Sequence, residues 1–113
     1  MIKVGEHEVN ILGTNYNVMF GNKRALGMSE ENAGECRVFT KLILVNTDDE
    51  DCTSEELEVR TQEIVAHEVL HAYINEAGVS CGNGEEVVCD FFMKNWRKIN
   101  NTILDILDKF QCI

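Results

Sequence analysis

The stretch from Ile64 to Ile74 places apolar side chains (Ile64, Val65, Ala66, Val69, Leu70, Ala72, Tyr73, Ile74) on nearly every face of a helix, so that helix must be buried on most of its sides. Into it the chain sets His67, Glu68 and His71, whose burial without compensation is costly. A metal ion supplies the compensation. Residues four apart on a helix lie one turn apart on the same face, so both imidazoles can reach one ion with Glu68 beside them. The run Ala66-His-Glu-Val-Leu-His-Ala72 spells H-E-x-x-H, the zinc signature in which two histidines hold the ion and the glutamate serves a metal-activated water. It uses two of the three histidines in the chain.

The boundaries of this helix are written in the flanks. Thr53-Ser-Glu-Glu56 is a capping-box pattern, in which the Thr53 hydroxyl and the Glu56 carboxylate satisfy opening backbone amides, and Gly78 is a C-terminal cap. A second helix is expected from Asn83–Glu85, with Val87, Val88, Phe91, Phe92, Trp96, Ile99, Ile103, Leu107 and Phe110 as core residues and a weak spot at Asn100-Asn101. Before residue 50 the pattern changes to short apolar stretches at Val9–Leu12, Tyr16–Phe20, Cys36–Phe39 and Leu42–Val45, separated by Gly and Asn turns, which read as strands. Gly13-Thr-Asn15 reads as a hairpin connection. Gly21 to Gly34 reads as a loop, with a helical turn near Ser29–Asn32 as the alternative. The expected fold is therefore α+β: a small N-terminal antiparallel sheet packed on two long C-terminal helices, in a single domain over residues 1–113.

Charge narrows the partners. With 20 Asp and Glu against 10 Lys and Arg, the formal charge of −10 argues against nucleic acid and anionic membranes, which are bound through clustered basic residues. Seven of the eleven residues from Asp48 to Glu58 are acidic, which fits a solvated loop and a helix N-terminus that favours anions. No signal-peptide pattern or membrane-length apolar run occurs, so a soluble cytoplasmic protein is expected. The five cysteines (Cys36, Cys52, Cys81, Cys89, Cys112) lack Cys-x-x-Cys spacing and read as reduced thiols, with Cys36 and Cys89 as core fillers and Cys81 and Cys112 as exposed.

A catalytic zinc site needs a third protein ligand. No histidine follows His71, which speaks against metzincin and SprT-like patterns and leaves a carboxylate. Gly84-Glu85-Glu86-Val-Val-Cys-Asp90 provides it: Glu86 is the expected ligand, Glu85 its rival, and Asp90, one turn on, can accept a hydrogen bond from a ligand histidine. His67-Glu-Val-Leu-His71 followed by Glu86-x-x-x-Asp90 resembles the gluzincin zinc peptidases, in which Glu is the third ligand and Asp supports the site. The run from His67 to Gly78, with the size and the sheet-then-helix order, is similar to small phage- or prophage-encoded metallopeptidase-like proteins related to the ImmA/IrrE group. The match spans about residues 36 to 110.

The resemblance implies a minimal zincin-like core, one Zn2+ per chain and a protein or peptide substrate. Peptide-bond hydrolysis would then use Glu68 as general base, with neutral His67 and His71 and the Glu86 carboxylate on the metal. Tyr73 and His7 are candidates for stabilising an oxyanion, although Tyr73 reads first as a packing aromatic, and His7 and Tyr16 read equally well as surface groups or oxyanion stabilisers. The edge expected near Leu42–Val45 can pair with an extended peptide. The alternative is a non-catalytic module in which zinc clamps the two helices and function lies in protein binding. A third reading, a regulator that cuts one partner, follows only from the ImmA-like resemblance.

Overall fold

The computed structural model describes residues 5–79 and 85–110, with the backbone alone for Glu85, Glu86, Asp90 and Phe110. In chain order the elements are strands β1 (Gly5–Ile11) and β2 (Thr14–Gly21), a short helix α1 (Lys23–Leu26), strands β3 (Gly34–Arg37) and β4 (Leu42–Asn46), and helices α2 (Ser54–Ala77) and α3 (Glu85–Phe110). The expected α+β class holds, with a four-stranded N-terminal sheet against two long helices. One detail differs. The sheet order is β1-β2-β4-β3, and while β1–β2 and β3–β4 are antiparallel, the central β2–β4 pairing is parallel. After β2 the chain passes through α1 to the sheet edge, forms β3 there, and returns as β4 into the space between. The wholly antiparallel expectation assumed that strands adjacent in sequence pair in turn.

Alternation along the strands builds the core. Val9 opposes Tyr16, Val18 opposes Ile43, and Phe20 opposes Val45, and all six are buried beneath the helices. The β1–β2 connection is a two-residue turn at Leu12-Gly13, one position earlier than the sequence suggests. Both residues have positive φ (51° and 93°), as a tight hairpin with the strand twist requires. Asn10 Oδ1 accepts from the Gly13 amide at 3.0 Å, which helps hold Leu12 in a conformation unfavourable for a side chain. The loop after β2 contains both α1, capped by Asn22, and a hydrogen-bonded turn from Ser29 to Asn32. Phe39 falls in the β3–β4 turn, 98% exposed, so that strand ends before the expected boundary.

Helix α2 starts and stops as expected. Thr53 Oγ1 accepts from the Glu56 amide at 3.2 Å, and Gly78 closes the helix in the left-handed region. Glu55 and Glu56 occupy the first turn, where negative charge is favoured, and most of the preceding acidic loop is exposed. Helix α3 runs without interruption through Asn100-Asn101. Phe91, Ile99, Ile106 and Leu107 enter its core face, but Val87, Phe92 and Trp96, expected in the core, are substantially exposed. Cys89 also lies on the exposed side of α3 rather than in the core, whereas Cys36 packs against it; Cys81 and Cys112 lie outside the described residues. No described helix is long and apolar enough to cross a membrane.

A polar clamp ties the sheet to the last turn of α2. Tyr16 Oη donates to Glu76 Oε2 at 2.6 Å, and Lys41 Nζ donates to the same oxygen at 2.8 Å. These bonds, led by Lys41, hold the Glu76 carboxyl far below its ordinary range, at about 2. Burial and the Glu76 contact push the Tyr16 hydroxyl strongly upward, so it stays a donor. A depressed folded-state pKa contributes stability that is complete above 4.5, the ordinary value, and fades as pH falls toward about 2. Glu76→Gln should therefore lower unfolding free energy at neutral pH by about 1–3 kcal/mol. Urea melts of both proteins should converge between pH 4.5 and 2, and a gap unchanged across that window would contradict the ionised clamp.

Candidate metal centre

Helix α2 is buried through Ile64, Val65, Val69, Ala72 and Tyr73, leaving one strip open. His67 and His71 occupy that strip, exposed and one turn apart, while Glu68, one residue round the helix, is only 7% exposed beneath β3. The two imidazole rings meet edge to face, with centroids 4.7 Å apart and planes at 75°. Their Nε2 atoms are 3.1 Å from each other. A nitrogen from each histidine and a carboxylate oxygen of Glu68 all lie within 4.8 Å of one another, so the group can hold a metal ion.

The nitrogen spacing suits a tetrahedral metal ion. Two nitrogens each about 2.0–2.1 Å from a tetrahedral ion stand about 3.3 Å apart, close to the spacing the imidazoles already have. Burial is the main influence raising the pKa of Glu68, with Glu35 acting in the same direction, while the two histidines oppose the shift. Its proton affinity is thus set above that of an ordinary carboxylate at the point where the imidazoles converge. Glu35 itself is shifted down, chiefly by Arg37, whose Nε donates to it at 2.9 Å. The Cys36 thiol is pushed up to about 11 by burial and the nearby acids, so it stays protonated at neutral pH.

Helix α2 and strand β3 form the walls of an open cleft of about 650 Å³. His67, Glu68, His71 and Asn75 line one side, with Gly34 and Glu35 on the other. Gly34 makes the close approach possible: a Cβ there would lie 2.6 Å from Ile64 Cγ2 and 2.9 Å from Glu68 Oε2. Among the described residues β3 is an edge strand of the sheet, and β4 is enclosed between β2 and β3. The expectation of an exposed edge at Leu42–Val45 is corrected accordingly, and Ile43, Leu44 and Val45 are buried.

The sequence missed β3 as a wall because nothing local reveals which strand ends outermost. Asn75 follows His67 and His71 at the same four-residue interval, which places it on their face of the helix. Of the other expected site residues, the side chains of Glu86, Glu85 and Asp90 lie outside the described residues. Tyr73 is buried, its hydroxyl 2.7 Å from Thr102 Oγ1 and 3.2 Å from the Lys98 carbonyl. His7 pairs with Asp105 at 3.0 Å, and Tyr16 is committed to Glu76. None of these three lines the cleft.

No protein-family model matches the chain, and no curated protein or solved structure is significantly similar to it. The geometry therefore carries the functional argument. Gly34→Ala should destabilise the protein by about 1–3 kcal/mol, because branched Ile64 has little freedom to yield. It should also separate β3 from α2. Thermal melts and hydrogen exchange at β3 would reveal both effects, and a variant with wild-type stability would contradict the close approach.

Proposed function

We propose that this protein is a zinc-dependent peptidase of minimal gluzincin type. The observation that carries the reading is the convergence of His67 and His71 Nε2, 3.1 Å apart, with Glu68 in an open cleft walled by β3, an edge strand among the described residues. His67 and His71 would hold zinc, with Glu86 as the proposed third ligand on the strength of its gluzincin-like spacing in the sequence alone. Zinc bound there would supply a Lewis acid that lowers the pKa of water to about 7 and polarises a carbonyl. Glu68 would accept a proton from the attacking water and return it to the leaving amine, its carboxylate lying beside the two imidazoles. An extended peptide would add to β3 through main-chain hydrogen bonds, bringing its scissile bond into the cleft.

A second reading, a zinc-stabilised interaction module, draws support from an apolar groove of about 580 Å³ between α2 and α3. Leu70, Phe92, Trp96 and Ile103 line it, and His67 borders both it and the cleft. The readings differ in what zinc does. Removing it from a structural clamp should unfold the chain, whereas a peptidase with this core should lose activity and keep its fold.

Elemental analysis of protein purified without added zinc should find one zinc per wild-type chain. His67→Ala, His71→Ala and Glu86→Gln should lose it, while Glu85→Gln keeps it. Glu68→Gln should keep zinc and lose at least about 100-fold in turnover on a peptide pool. Wild-type cleavage by that variant would remove Glu68 as the base, and a wild-type chain that takes up no zinc would remove the metal reading.

A further inference from the structure

Asn75 lies four residues beyond His71 and eight beyond His67, exposed and lining the same cleft. Its side-chain amide is not free to choose an orientation. Asn75 Nδ2 donates at 3.1 Å to Glu76 Oε2, the oxygen that also accepts from Tyr16 and Lys41. A carboxylate oxygen receiving three donors has no proton to give, so only the nitrogen end of the Asn75 amide can face it. The carbonyl end is thereby turned away from Glu76.

We propose that Asn75 Oδ1 is a preset acceptor for a main-chain N–H of an extended peptide in the cleft, and that Glu76 is the positioning residue that fixes it. This deepens the peptidase reading and rests on it. A strand added to β3 uses one of its two hydrogen-bonding edges, and the other edge projects N–H and C=O groups that need partners. Asn75 stands on the opposite wall, formed by α2. Because it offers an acceptor alone, it selects amide N–H groups over ester oxygens or N-methylated nitrogens at that position. The network extends from the β3–β4 turn, through Lys41, to Glu76 and Asn75, so the same carboxylate that clamps the sheet to the helix also orients a binding group.

The test uses the zinc-loaded full chain and one peptide cleaved by the wild type, with steady-state kinetics for wild type, Asn75→Leu and Glu76→Gln. Asn75→Leu should raise KM about 3- to 10-fold, the range of one neutral hydrogen bond, with kcat and zinc content near wild type. A scan of N-methylated peptides should find one position where methylation raises the wild-type KM by the same factor and leaves that of Asn75→Leu unchanged. Glu76→Gln, whose amide can also donate, should weaken the same position and add nothing when combined with Asn75→Leu. Methylation penalties equal in wild type and Asn75→Leu at every position would overturn the proposal, as would loss of zinc from Asn75→Leu. Failure of zinc-loaded wild type to cleave any peptide would overturn the peptidase reading itself, and this proposal with it.

Discussion

At Gly34 the backbone of β3 crosses α2 so closely that even a methyl group would collide with Ile64 and Glu68. That approach decides the character of the centre. It covers Glu68 while leaving His67 and His71 open, so a buried carboxylate and two accessible imidazoles come from neighbouring positions on one helix. Burial raises the proton affinity of the carboxylate, and the imidazoles limit the rise. Without the contact, the three groups would sit on a solvated helix surface with no cleft and little reason for unusual chemistry.

The far end of the cleft is held by different means. There β3 has turned into β4 through Lys41, whose φ of 58° places it in the left-handed region, and its ammonium reaches Glu76 on α2. Tyr16, wholly buried in β2, donates to the same oxygen, so strands and helix are joined at one ionised carboxylate. Steric contact at Gly34 and a charge-assisted network at Glu76 thus brace the two walls at opposite ends. Between them lie His67, Glu68 and His71, the group able to hold a metal ion, and Asn75.

Much of this was legible in the residues. Thr53 and Gly78 bracket α2, and the apolar run from Ile64 to Ile74 implies burial of most of its sides, because caps and periodicity are local properties. Of the three site residues, however, only Glu68 is buried, while His67 and His71 are exposed. The four-residue interval of His67 and His71 likewise places them together on any helix. Less legible was α3, where Phe92 and Trp96 share the helical periodicity of core residues but remain partly exposed. Hydrophobic spacing identifies an apolar face without telling how much of it a neighbour covers.

The sequence by itself determined the α+β order, the limits of α2 and the presence of a His-Glu-His group on one helix, since each follows from interactions within a few residues. Only the tertiary structure decided that β4 enters between β2 and β3, that β3 rather than β4 is an edge strand among the described residues, and that its glycine roofs Glu68. It also brought Tyr16, Lys41 and Glu76 onto a single hydrogen-bonding centre. Strand order and close approach arise from pairings between distant residues, in which the parallel β2–β4 contact and the packing of α2 are satisfied together, and no local pattern encodes that joint solution.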